Sequence, residues 1–273
     1  MYYIGQWKNG LFHGKGKEYY KNGKILYEGD YINDKREGNG KYNLEDGSFY
    51  EGQWKNGFLN GKGTFYYPDG NIQYEGDFLN DKKEGFGKNI YEDGSFYIGE
   101  WKDNNFNGKG TLYYPNGNIQ YEGDFNNMTD GYGKYYYEYG SYYIGLYKNG
   151  FPNGKGTIYY PDGSIQYDGD FLNGKKKGYG KSLYEDGSFY IGEWKDNLFH
   201  GKGTLYYPNG NIRYDGYFAF YVFEGYGKCI YENGEYYIGQ WKNNLRNGRG
   251  TIYFSNGIIM YDGIFINDVF VGN

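Results

Sequence analysis

Twelve times along this chain a tyrosine is followed two residues later by glycine and two further on by an aromatic ring. The tyrosines are Tyr3, Tyr27, Tyr50, Tyr74, Tyr97, Tyr121, Tyr143, Tyr167, Tyr190, Tyr214, Tyr237 and Tyr261, spaced by 22 to 24 residues. A period this short, carried from residue 3 to residue 272, leaves no stretch for a separate catalytic domain. It predicts one supersecondary unit per repeat, with each unit burying its apolar face against its neighbours. The units, numbered 1 to 12, come in two alternating kinds. Odd repeats end the motif in Trp7, Trp54, Trp101, Trp194 and Trp241, with Tyr147 the exception; even repeats end it in Tyr31, Phe78, Phe125, Phe171, Phe218 and Phe265.

Repeat 3 shows what one unit builds. Residues 50–54 (YEGQW) alternate with period 2, as a half-buried strand does. Asn56-Gly57 supplies turn chemistry, residues 61–67 (GKGTFYY) alternate again, and Pro68-Asp69-Gly70 turns the chain into the next unit. The repeat therefore reads as a β-hairpin. The chain reads as an all-β, single-layer antiparallel array of about twelve hairpins, elongated, without helix, and roughly 115 Å long if its 24 strands stack regularly. Composition agrees: 50 Gly, 41 Tyr and a single alanine, Ala219, make a poor helix former and exclude a helical bundle, a Rossmann-type fold and a coiled coil. A mean hydropathy of −0.94 would otherwise suggest disorder, but aromatics make up 24% of the chain, and they bury large areas while scoring as polar. Gly61 and Gly63 are expected to share a face with Phe65 and Tyr67, so that a neighbouring ring can lie flat on bare backbone.

The motif Tyr-x-Gly-x-Trp-x-x-Gly-x-x-x-Gly-x-Gly, nearly complete at residues 50–63 (YEGQWKNGFLNGKG), resembles the MORN (membrane occupation and recognition nexus) repeat. The resemblance spans the whole chain. It implies non-catalytic hairpin arrays that act as scaffolds, tethers and oligomerisation modules beside the cytoskeleton, a cilium or axoneme, or a membrane. It also implies an affinity for phospholipid.

Read for chemistry, the residues offer little else. Carboxylate pairs at Glu28/Asp30, Glu75/Asp77, Glu122/Asp124 and Asp168/Asp170 recur in successive even repeats, as a ladder does and a catalytic pocket does not. Asp46, Asp69, Asp93, Asp162 and Asp186 are turn formers rather than calcium ligands. The Gly-x-Gly strings open no helix and hold no phosphate. His13 and His200 fall where other repeats carry Asn60 or Asn107, which suggests a turn preference. Cys229 stands in the small-residue slot of Asn89 and Ser182 and reads as core. No cofactor, metal site or enzyme activity is expected. A net charge of −5 argues against nucleic acid. The absence of an apolar run or leader points to a cytoplasmic protein.

Two features point outward. One cation column (Lys15, Lys62, Lys109, Lys155, Lys202, Arg249) recurs every ~19 Å and offers candidate ligands for an anionic phospholipid surface; Lys41, Lys88, Lys134, Lys181 and Lys228 form a second. The other feature is where the repeat breaks, in residues 214–273. Even-repeat tips such as Asn80-Asp81-Lys82-Lys83-Glu84 are charged. Repeat 10 instead carries Ala219-Phe220-Tyr221-Val222-Phe223 after Phe218, repeat 12 carries Val269-Phe270-Val271, and Ile258-Ile259-Met260 replaces the usual Asn-Ile-Gln between them. These residues are the candidate protein interface, for a homodimer through the C-terminal repeats or for docking into a larger assembly. The shortened tip of repeat 6, Asn126–Asp130, is expected to mark a bend.

Overall fold

The computed structural model describes residues 1–127 and 129–273. Twenty-four strands run through it, with no helix among the described residues. The chain divides into two bodies, Met1–Gly133 and Lys134–Asn273. Within each body, strands that follow one another in sequence pair antiparallel, from Tyr2–Lys8 to Ile119–Asn126 in the first and from Tyr142–Lys148 to Val269–Gly272 in the second. The tip of repeat 6 includes Met128, so the expected bend there lies outside the described residues.

Turn chemistry sets the hairpins. Between Phe49–Lys55 and Phe58–Tyr66, Asn56 and Gly57 both take positive φ (55° and 91°), the geometry whose twist matches the flanking strands. At the opposite edge Gly70 N donates to Tyr67 O at 2.9 Å, and the Asp69 carboxylate accepts from Asn71 N at 2.9 Å. In each body one edge of the sheet thus carries the Asn-Gly and Asn-Asp turns, and the other carries the Pro-Asp-Gly type.

The core is a ladder of glycines. The glycine of each Tyr-x-Gly faces the second glycine of the next Gly-x-Gly, and this pairing continues from Gly5 to Gly123 in the first body. It runs from Gly145 to Gly263 in the second. On this floor lie the motif tyrosines from Tyr3 to Tyr237, while the last, Tyr261, stands exposed. Tyr50 is fully buried, its ring covers Gly52 and Gly63, and its hydroxyl donates to Gln53 O at 3.1 Å. A Cβ on either glycine would overlap that hydroxyl, so the tyrosine and the glycine pair require one another. Gly61 does something different from what its spacing predicts. It sits at a bulge with φ +94° and faces the Gln53 side chain; its backbone conformation, not ring stacking, calls for glycine.

Rings pack edge to face along the ladder. Trp54, Tyr50, Phe78, Tyr74 and Trp101 follow one another at centroid distances of 5.1–5.7 Å and interplanar angles of 78–89°, the arrangement the ring quadrupole favours. Trp101 Nε1 donates back to Gly87 O at 3.2 Å, which satisfies its only polar atom. In the second body Tyr167, Trp194, Tyr190, Phe218, Tyr214, Trp241, Tyr237 and Phe265 repeat the pattern.

Part of the charged tips belongs to this core. Lys83 Nζ lies 4.4 Å from the Tyr74 centroid and 4.7 Å from Trp101, and donates to Asn89 Oδ1 at 2.6 Å. Lys176 sits equivalently over Tyr167 and Trp194, and Arg36 over Tyr27, Tyr42 and Trp54. Burial pushes the Lys83 and Lys176 ammonium groups down to about 8. These three cations are ring-packed, not solvent-facing.

Candidate interaction surfaces

The turn edge of repeat 10 is built on a backbone made for other residues. Elsewhere its two central positions are Asn33-Asp34, Asn80-Asp81, Asn173-Gly174 or Asn267-Asp268, all at positive φ. Asn and Asp tolerate that region, and an aspartate in second place supplies a useful acceptor. Asp34, Asp81 and Asp268 Oδ1 accept the N–H of Phe12, Leu59 and Arg246 at 2.7–2.8 Å, tying each turn to its neighbour. In repeat 10 Phe220 (φ 52°) and Tyr221 (φ 71°) hold the same geometry. For bulky residues it is strained, at about 1–2 kcal/mol each. Tyr221 cannot offer Phe199 a carboxylate. It folds back instead, with its hydroxyl donating to Asn197 O at 2.7 Å and its ring 4.6 Å from Phe199. Phe220 is left 60% exposed.

The structure separates the residues that the sequence grouped together. Phe218 is buried, edge-on to Tyr190 and Tyr214. Phe223 occupies the slot of Lys83 and Lys176, stacked 3.7 Å from Tyr214 at an interplanar angle of 1°. Both are core. Phe270 is half-buried against Tyr261 and Phe265. Exposed on the Asn-Asp edge are Phe220, Tyr221 and Val269, with Val271 just inside it and Val222 half-buried. Ile258 and Ile259 are exposed too, but with the half-buried Met260 they follow the turn at the opposite edge, one strand length away. They do not join the same patch.

The first cation column is largely neutralised. Lys15, Lys62, Lys109 and Lys155 each pair with the aspartate opposite (Asp30, Asp77, Asp124, Asp170) at 2.5–2.7 Å. In the last two odd repeats that aspartate is gone: Lys202 faces Tyr217 and Arg249 faces Ile264. Among the described ion pairs neither cation has a carboxylate within 4.0 Å. In the second column Lys41, Lys88, Lys181 and Lys228 lie over Phe49, Phe96, Phe189 and Tyr236, and Lys134 over Tyr136 and Tyr142. The sequence reading missed the release of Lys202 and Arg249. Its signal was present, because Tyr-x-Gly-Asp of repeats 2, 4, 6 and 8 becomes Tyr-x-Gly-Tyr and Tyr-x-Gly-Ile in repeats 10 and 12.

The other chemical candidates resolve into structure. Glu28 and Asp30 are tied to Lys17 and Lys15. Hydrogen bonds from the Ser48 hydroxyl and N–H hold the Asp46 carboxyl below its usual range, and Asp93, Asp162 and Asp186 repeat that turn with their own serines. His13 and His200 lie within strands, not in turns, and their buried Nδ1 atoms have no hydrogen-bond partner. Burial pushes the Cys229 thiol up to about 11, which leaves it an inert core group. No group of His, Cys, Asp and Glu side chains with metal-holding geometry occurs among the described residues, and no helix there is long and apolar enough to cross a membrane.

Comparison with known proteins decides the family. The family model for the MORN repeat matches residues 3–25, 27–49, 50–72, 74–96, 97–119, 121–142, 143–165, 167–189, 190–212, 214–236 and 237–259. The chain belongs to the MORN-repeat family. That family is a non-catalytic repeat family. A MORN repeat-containing protein 3 from Xenopus laevis is 46% identical over 44 residues, which are 16% of this chain and 18% of that protein; the match spans less than a fifth of the relative. Among solved structures, the SAS-4 (dCPAP) TCP domain of Drosophila melanogaster, in complex with a proline-rich motif of Ana2 (dSTIL), aligns over 64% of this chain and 86% of its own at 17% identity, with a TM-score of 0.31. A point mutant of the TCP10 domain of Danio rerio CPAP aligns over 92% and 95% at 13% identity, with a TM-score of 0.23. Scores this low do not establish a shared fold.

Proposed function

We propose that this MORN protein is a non-enzymatic, cytoplasmic scaffold that organises a protein assembly, and that its main protein contact is the Asn-Asp edge of repeats 10 to 12. The observation that carries the reading is the turn Phe220-Tyr221. Two bulky residues hold a left-handed backbone that every neighbouring repeat assigns to Asn, Asp or Gly, and the phenylalanine points into solvent. Strain of this kind, kept together with an exposed ring, suits a contact that covers the ring. Val269 and Val271 extend the apolar edge where other even repeats carry lysine and glutamate, such as Lys82 and Glu84. A second copy of the chain or another assembly member would cover it. Attachment to the cytoskeleton or a cilium is a reading by family.

Light scattering coupled to size exclusion tests this with Phe220→Asn/Val269→Lys, which restores the residues other repeats use. The variant should fold as the wild type does and lose self-association or partner binding. If it kept every association of the wild type, the contact would lie elsewhere. The rival reading, a membrane module built on the first lysine column, is weakened because four of its six cations are already engaged by aspartate.

A further inference from the structure

Within each body, the face opposite the tyrosines carries a row of side chains at the level of the first cation column. In repeats 1 to 8 the lysines of the row are each held by an aspartate, with Phe86, Tyr132 and Tyr179 exposed between the ion pairs. From Lys202 onward it changes character. Strand pairing and alternation place Lys202, Tyr217, Tyr226, Gln240, Arg249 and Ile264 in succession on that face. Lys202 opposes Tyr217, Tyr226 opposes Gln240, Arg249 N donates to Gln240 Oε1 at 3.1 Å, and Arg249 opposes Ile264. Tyr217, Tyr226 and Ile264 are 44%, 60% and 37% exposed. Two cations without carboxylates therefore flank a solvent-facing aromatic pair, on the stretch of the row that has lost its aspartates. The nearest acids on the strip are engaged with backbone: Glu193 accepts from Lys202 N at 3.2 Å and Glu224 from Asn243 N at 3.1 Å.

We propose that this strip binds an extended acidic segment of a partner protein, laid across the strands, with one carboxylate on Lys202, another on Arg249 and an apolar side chain on Tyr217 and Tyr226. The cations sit four strands apart, ~19 Å, which an extended chain covers in about six residues. Because side chains alternate with period 2, residues i and i+6 point the same way, so one strand reaches both cations. Width favours a chain over a bilayer. Asp215 and Asp262 stand on the same face in the adjacent row, with Lys228 the one cation between them, and accept from Thr204 and Thr251 Oγ1 at 3.0 and 2.6 Å. They would repel a continuous anionic surface, whereas a single strand along the Lys202–Arg249 row passes beside them. The proposal rests on the reading of the chain as a binding scaffold, but it uses a different surface from the Phe220 turn.

The test is fluorescence anisotropy of the full chain with a labelled peptide bearing glutamates at i and i+6, leucines at i+2 and i+4, and serines elsewhere. A control peptide has its glutamates at i and i+7. Saturable binding of the first is expected, weakening between about 50 mM and about 300 mM salt. Lys202→Glu and Arg249→Glu should each weaken it by about fivefold or more. Tyr217→Asp/Ile264→Asp should abolish it while leaving the fold intact, because that is the pairing repeats 1 to 8 already hold. Lys62→Glu should leave it unchanged. Equal binding of the control peptide, or binding that survives Tyr217→Asp/Ile264→Asp, would overturn the proposal. So would a strip that ignores the peptide yet carries the chain onto vesicles of about one-third phosphatidylserine in a Lys202- and Arg249-dependent way, which would make its ligand a membrane. Phe220→Asn/Val269→Lys separates the two readings. If it left all associations intact while the strip variants lost the peptide, the turn contact would fail and the strip would stand.

Discussion

Repeats 4 and 10 share a backbone and differ in what they show to solvent. Tyr74 and Tyr214 are both fully buried, Phe78 and Phe218 nearly so, and the turns 80–81 and 220–221 have φ values within 5° of each other. Yet Asp77, Asn80, Asp81, Lys82, Lys83 and Asn89 become Tyr217, Phe220, Tyr221, Val222, Phe223 and Cys229. Two of these changes are coupled. The buried Lys83 donates to Asn89, and repeat 10 replaces cation and acceptor together with Phe223 and Cys229, so no polar group is stranded. The remaining four lie at the turn and on the outer row. Glycine, tyrosine and the motif aromatic set the fold in both repeats, and the positions they leave free carry the difference.

If the core is common to both, breaking it should cost the same in either. Tyr74→Ala and Tyr214→Ala should each destabilise by about 3–5 kcal/mol, measured by denaturant unfolding. A large difference between them would show that repeat 10 is held by something else. The phenols extend the point to pH. Burial raises the Tyr74, Tyr97, Tyr190 and Tyr214 hydroxyls well above their usual value near 10. The stability this represents is complete below pH 10 and is lost above it as the unfolded chain ionises, at about 1.4 kcal/mol per pH unit for each buried tyrosine. Melting temperature should therefore fall steeply past pH 10.

Lysine gives the opposite slope where the repeats differ. With folded-state values near 8 against 10.5, Lys83 and Lys176 bind fewer protons in the folded chain between those limits. Stability should then rise from pH 8 to about 10 by up to roughly 3 kcal/mol per lysine. Lys83→Phe/Asn89→Ser, which removes the buried lysine and puts the residue found at Ser182 in its partner's place without adding a titrating group, should remove the Lys83 share, about half of the combined rise. A smaller effect is expected at the turn. Phe220→Asn/Tyr221→Asp relieves left-handed strain and restores an acceptor for Phe199, but gives up the Tyr221 ring contact and hydrogen bond. The net gain should be about 1–2 kcal/mol in chemical denaturation. Lys62→Ala, which opens one exposed ion pair, should cost less than about 1 kcal/mol.

The hairpins and turns were legible because they rest on neighbouring residues: Asn56-Gly57 or Pro68-Asp69-Gly70 determines its local backbone wherever it stands. Glycine–tyrosine stacking was legible from the small-between-large pattern, although Gly61 proved to serve a bulge. What escaped depends on contacts between hairpins. Lys83 reads as a tip residue until Trp101, 18 residues on, closes over it. Lys202 reads as one of six equal cations until strand pairing sets Tyr217 against it. Ile258 and Phe220 read as one apolar cluster until the strands between them place them at opposite edges.

The most direct test of the claim that the late repeats keep the fold and add the contact is a graft. Residues 217–223 would be replaced by those of 77–83, with Cys229→Asn, and wild type and graft compared by size-exclusion light scattering alongside denaturant unfolding. The account predicts a chain as stable as the wild type, or slightly more so, that no longer self-associates or holds its partner. A graft that unfolds, or one that folds and associates unchanged, would contradict it.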